Sequence, residues 1–218
     1  KDAVALRAYL GREQYGSTPL FTGQYYTAKN PTGIKEGYTK YVKGEEEYIP
    51  AVKAIEYTYD EKHCGVFPRM YSYDPSRPYH VQFYKYWIGK NQNDERKPTF
   101  AENLTYFFRY QVNFMYWRYF FWNFVGRQND IQGNGEAEHG NWITGIPAVD
   151  NFLVGNQEFL PSDLKNNKGH NVFFCLPLIL GLIGLFWQAY KGEKGIQQFW
   201  VVFFLFFMTG LAIVLYLN

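Results

Sequence analysis

Only two cysteines occur in the 218 residues. One of them, Cys175, lies inside an apolar run, so a disulfide framework is excluded. Charge of one sign is scarce as well. Twenty-two Lys and Arg stand against twenty Asp and Glu, a net charge of +2. That balance leaves no basic stripe for nucleic acid. Walker A, GxSxG, paired CxxC and HExxH strings are all missing, which removes the phosphate-cradle, serine-hydrolase, zinc-ribbon and zincin readings. Long apolar runs are missing from residues 1–170 and reappear abruptly after them.

What is present is dominated by those late runs. Residues 172–190 (VFFCLPLILGLIGLFWQAY) and 199–217 (FWVVFFLFFMTGLAIVLYL) carry no charge and are nineteen residues each. At helical rise each reaches roughly 28 Å, against a hydrocarbon core of about 30 Å. The linker 191–198 is short and polar, so the two helices are expected to run antiparallel. Trp187, Tyr190, Trp200 and Tyr216 stand near the ends, where amphipathic rings settle at a bilayer interface. The competing reading is a pair of buried helices in a large soluble core. Aromatic residues make up 21% of the chain. They suit apolar packing, sugar stacking and interface anchoring equally.

The sequence predicts an α+β extramembrane region with a long aromatic interfacial helix, followed by a two-helix transmembrane hairpin. The expected divisions are 1–99 (mixed α/β, extramembrane), 100–126 (aromatic helix), 127–170 (polar loop region) and 171–218 (hairpin). Within the first, 2–9 has helical spacing and 16–37 reads as loop with short extended pieces. Ile55, Tyr57 and Tyr59 alternate as in a strand, and 66–71 and 80–86 are expected as two more. From 100 to 125 there is no Pro or Gly, and Thr99 with Glu102 spells a capping box. A third span is opposed by Arg109 and Arg118, each costing about 2.5–3.5 kcal/mol near a bilayer centre. At 3.6 residues per turn they lie on opposite faces. A helix at the interface or wedged between spans is preferred to a true span or an ordinary core helix.

Polar chemistry concentrates in 127–141. From Asp130, alternate oxygen-bearing residues and a Gly at the sixth place imitate a calcium loop, but Asn141 stands where a bidentate Glu is needed. A divalent cation is therefore a candidate ligand beside a plain hydrogen-bonded loop. His139 with Glu136 or Glu138 is a sparse zinc set, and no metal site is assigned. Arg12, after the first helical stretch, can grip a phosphate or pair with Glu13. Asn103-Leu104-Thr105 is an N-glycosylation triplet.

Several strings act together: LRAYLGREQYG (6–16), FPRMYS (67–72), YWRYFFWNFVGRQNDIQ (116–132), NWITGI (141–146), LPLILGLIGL (176–185) and TGLAIVLYLN (209–218). Together they make the chain resemble a bacterial multi-pass membrane family. That family is similar to the transmembrane protein O-mannosyltransferases of animals, of the glycosyltransferase-C class. The resemblance implies transfer of a sugar from a lipid-linked donor to Ser or Thr of a protein acceptor. It places residues 1–170 on the periplasmic side of a bacterial inner membrane; the charges flanking the spans are tied and do not decide orientation. It also implies a catalytic carboxylate in an earlier loop, so these residues read as an internal piece of a longer protein and no catalytic residue is carried over. The residues expected to touch donor phosphate or sugar are Arg12, Arg118, Arg127, Trp117 and Trp122. Asp130, Glu136, Glu138 and His139 are polar-loop candidates. The expected partners are the lipid bilayer, the lipid-linked sugar and the protein acceptor. The competing readings are a non-catalytic subunit packed among other membrane subunits and, less favoured, a transporter segment.

Overall fold

The computed structural model describes Leu6 and residues 20–216. The helix expected over 2–9 and the Arg12 site lie outside the described residues, apart from an exposed Leu6. Helices are mixed with small antiparallel sheets, and the chain forms two compact units that meet in sequence at Phe107 and Phe108.

In the first unit, β1 (Thr22–Gln24) pairs with a later short strand. β2 (Gly33–Lys43) and β3 (Tyr48–Thr58) form an antiparallel hairpin with two register shifts. β4 (Cys64–Val66) is the partner of β1, with Gly23 opposite Gly65. The alternation in 54–59 is thus realised in β3 as far as Thr58, with Tyr59 just beyond the strand. Its partner β2 starts within the stretch read as loop, because Gly33 and Gly37 disguise it. Helix α1 (Tyr79–Ile88) occupies the stretch where a strand over 80–86 is expected. Pro78 supplies a helix-ready φ at its start, and left-handed Gly89 closes it by donating to the Lys85 and Tyr86 carbonyls. The alternating pattern there also satisfies i, i+3 spacing, which buries Tyr84 and Trp87 on one side.

The capping box forms as expected at α2 (Phe100–Tyr106): Thr99 accepts from the Glu102 N–H, and Glu102 accepts from Thr99 N at 2.7 Å. Tyr26 stacks on Tyr84 at 5.9 Å and Tyr84 meets Tyr106 edge-on at 4.9 Å. These rings, with Met70, form the core. Asn103, 1% exposed, crosses it. Its Oδ1 accepts from Met70 N at 3.0 Å and its Nδ2 donates to Thr99 O at 2.8 Å. The glycosylation triplet therefore serves packing in this fold.

The helical run continues with π winding over Phe107–Trp117 and returns to α geometry in α3 (Arg118–Phe124). Nine residues at about 4.4 per turn make nearly two full turns. The π register thus removes the opposition of Arg109 and Arg118 and brings them toward one side. Arg109 is exposed and Arg118 half-buried.

In the second unit, β5 (Gly126–Arg127) pairs with a strand just before the apolar tail. α4 (Pro147–Val154) and the single turn α5 (Ser162–Lys165) follow, then β6 (Asn171–Val172), the partner of β5. Buried Asp150 shapes the turn before α4. Its carboxylate accepts from Thr144 N, Thr144 Oγ1 and Gly145 N at 2.7–2.8 Å.

The tail holds α6 (Leu176–Ala189) and α7 (Glu193–Tyr216). Among the described residues, one helix is long and apolar enough to cross a membrane, over Glu193–Leu211. α6 has 14 residues, roughly 21 Å of helix. It starts late because Phe174 and Cys175 take positive φ. The aromatic run packs on α7: Phe120 lies 5.7 Å and Phe124 6.3 Å from the Phe206 ring. Gly210 faces Tyr116 so closely that any side chain there would strike the ring.

Asn103→Ala leaves the Met70 N–H buried without its acceptor. A loss of about 2 kcal/mol in denaturant unfolding of the first unit is expected, against a neutral result if Asn103 is merely a filler.

Candidate functional site

A polar loop follows the end of α3. Asn129, with no exposed surface, organises it. Its Nδ2 donates to Glu138 O at 2.8 Å, and its Oδ1 accepts from Gly140 N at 2.8 Å and Ile131 N at 3.2 Å. Gln128 does the same one residue earlier. Its Nε2 donates to Ala137 O at 2.8 Å and Gln157 Oε1 at 2.9 Å, while its Oε1 accepts from Asn141. Unpaired amides buried here would each cost about 1–3 kcal/mol, so full satisfaction fixes the loop.

The loop presents carbonyls and backbone to the helix above it. Trp122 Nε1 donates to Asn129 O at 3.0 Å. Arg118 Nε donates to Phe114 O at 3.0 Å, Nη1 donates to Gly140 O, and the guanidinium lies 4.3 Å over the Phe114 ring. Gly140 takes φ +60° to offer that carbonyl. Burial lowers the Arg118 pKa, Tyr110 opposing the shift. Arg127 lies 3.9 Å over the Trp122 ring and 5.7 Å over Phe173, and its Nη2 donates weakly to Asn123 at 3.5 Å. Its buried Nε has no hydrogen-bond partner among the described residues. Among the described residues, no carboxylate forms an ion pair with Arg118 or Arg127. Both cations rest on ring faces and neutral oxygen acceptors, so neither is paired with an anion.

Beside them opens a cleft of about 160 Å³, lined by Arg118, Tyr119, Trp122, Asn129, Asp130 and Gln132 among others. A second, mostly apolar groove of about 150 Å³ lies between the aromatic helix and α7. Tyr116, Tyr119, Phe120, Phe124, Phe206 and Gly210 line it. Tyr119 lines both.

The structure therefore gathers Arg118, Trp122 and Asp130 at one cleft and stacks Arg127 on the same Trp122. Trp117 is 41% exposed and packs on Phe120 and Phe121 at 5.6 Å, away from the cleft lining. Glu136 and His139 pair at 2.8 Å. Glu138 is exposed and lends only its carbonyl to Asn129. No three His, Cys, Asp or Glu side chains converge as a metal site among the described residues. Within the calcium-like string, the Glu136 carboxylate accepts from Asn134 N and meets His139, and the Asn141 amide donates to Gln128 Oε1 and the Glu136 carbonyl. Gln128 and Asn129 fall within the polar stretch 127–141 that the sequence marks, whereas Tyr119 has no such mark. The usable signal was a run of amides directly after an aromatic helix.

Residues 16–108 match a family of unknown function, DUF8416. The arginine cleft lies beyond that stretch. No curated protein and no solved structure matches the chain.

Burial pushes the Glu136 carboxyl up, but its own backbone N–H, His139 and the Asn134 N–H outweigh this and hold it below the ordinary glutamate range. A depressed folded-state pKa stabilises the loop above the unfolded value and is lost as pH falls through the folded one. Amide protection in 133–141 should therefore hold at pH 6 and decline below about pH 4.5. In Glu136→Gln the protection at pH 6 should be weaker and the acid step gone; identical profiles would remove Glu136 from the loop's stability.

Proposed function

We propose that this chain is part of a membrane glycosyltransferase that moves a sugar from a lipid-linked phosphate donor to Ser or Thr of a protein acceptor. One observation carries the reading: a cleft holding an uncompensated arginine adjoins an apolar groove along a membrane-length helix, with Tyr119 in both walls. A polyprenyl-phosphate sugar has that same division, a charged head beside a long apolar tail. Arg118 supplies charge to the phosphate, and Arg127 reaches it by turning on the Trp122 face. Tyr119 and Trp122 offer rings to the sugar.

The same reading makes α6 and α7 a two-span hairpin in a bacterial inner membrane, with residues 1–170 periplasmic. The short α6 is accommodated by the apolar residues before it. Their non-helical backbone is tied to protein: Cys175 N donates to Val125 O at 3.3 Å, and β6 pairs with β5. Irregular backbone at membrane depth is tolerated on that condition. The catalytic carboxylate falls outside these residues in this reading. It also aligns the chain with the bacterial relatives of the O-mannosyltransferases.

A second reading, a non-catalytic subunit in a larger membrane complex, draws on the β2–β3 hairpin. It exposes Ile34, Val42, Val52 and Ile55, each at least half accessible.

The test is binding of polyprenyl-phosphate mannose to the full protein in nanodiscs. Arg118→Met and Arg127→Ala should each weaken binding about tenfold, and Arg127→Lys should restore only part because an ammonium lacks the flat fork. Donor affinity unchanged in both variants, with a partner protein co-purifying through the hairpin, would favour the subunit.

A further inference from the structure

We propose that the first unit carries its own binding site for a neutral sugar, in a tyrosine-lined cleft that the arginine site does not involve. The cleft has a volume of about 200 Å³ and is walled by Gln24, Lys29, Tyr59, Tyr71, Ser72 and Tyr73, with Ala28 and Pro75 completing it. All three tyrosines are half-buried. None of their hydroxyls, nor the Gln24 amide, has a hydrogen-bond partner among the described residues, so all remain available to a ligand.

The walls are fixed before any ligand arrives. Arg69, 4% exposed, donates to Gln24 O at 2.9 Å and lies 6.0 Å from the Tyr71 ring centre. Tyr26 N donates to Met70 O at 2.9 Å, which ties the strand end to the Tyr71 segment. Ser72 N donates to the Tyr84 hydroxyl at 3.1 Å, and Ser72 Oγ meets His80 Nδ1 at 2.9 Å. Thr32 N and Oγ1 both donate to Thr58 O, which sets the backbone just before Tyr59. Rigid aromatic walls lower the ordering cost of binding.

The charge inventory selects the ligand. Lys29 is the only charged residue in the lining, and it pairs with Glu95 at 3.5 Å. An anion such as a nucleotide finds one exposed lysine there, already beside a carboxylate. A purely apolar ligand would strand three hydroxyls and an amide. A hexopyranose offers both requirements at once, C–H faces for the rings and hydroxyls for the polar groups. The volume suits one sugar ring. A single-ring ligand of about a dozen heavy atoms implies a Kd on the order of 1 mM. The inference does not rest on the glycosyltransferase reading.

The experiment is saturation-transfer NMR on the full protein in nanodiscs, with methyl glycosides of mannose, glucose, galactose and N-acetylglucosamine. Transfer to ring protons of at least one glycoside is expected. Tyr73→Ala should weaken it about fivefold. The triple change Tyr59→Phe, Tyr71→Phe, Tyr73→Phe keeps the rings and the packing and should weaken it about tenfold. Arg118→Met should leave it unchanged, which separates this site from the donor cleft. Absence of transfer to all four, or transfer indifferent to both tyrosine variants, overturns the proposal. So does binding of a proline-rich peptide at the cleft where the glycosides fail.

Discussion

The Asn129 side chain is the point through which the second unit's polar architecture runs. One amide, fully enclosed, joins residues 131, 138 and 140. Those bonds turn the Gly140 carbonyl toward Arg118, while Asn129's own carbonyl holds the Trp122 indole. Arg127 then stacks on that indole. A buried amide is costly unless every donor and acceptor is met, and here the cost enforces one loop geometry. The two guanidinium groups inherit their positions from it without touching a carboxylate.

Much of this was legible in outline. The aromatic helix, its capping box and the apolar tail follow from spacing and composition alone. The finer geometry failed where a different period won. Arg109 and Arg118 look opposed at 3.6 residues per turn, but the segment winds as a π-helix, which no side-chain pattern announces. The stretch 80–86 alternates like a strand, yet Pro78 and Gly89 bracket a helix. The first apolar run reads as nineteen continuous residues. Phe174 and Cys175 turn left-handed and shorten the helix to 14.

The polar loop shows the limit of reading residue types. Its acids and amides resemble a cation site in one dimension. In three, Gln128, Asn129 and Asn141 bond neighbouring backbone and each other, and Glu136 closes on His139. Arg118 and Arg127, which flank the loop, have no carboxylate partner among the described residues. Uncompensated charge beside rings and an apolar groove is a more selective signal than the density of polar side chains.

Asn103 carries a further consequence for how this protein can be made. Its amide is consumed in the first unit's core, yet the triplet around it remains readable to an oligosaccharyltransferase while the chain is still unfolded. A glycan added during synthesis in an animal or yeast secretory pathway would lock that amide outside, and the tyrosine core around Met70 could not close. Glycosylation there would act as a folding block, so production suits a host that does not modify asparagine in this way.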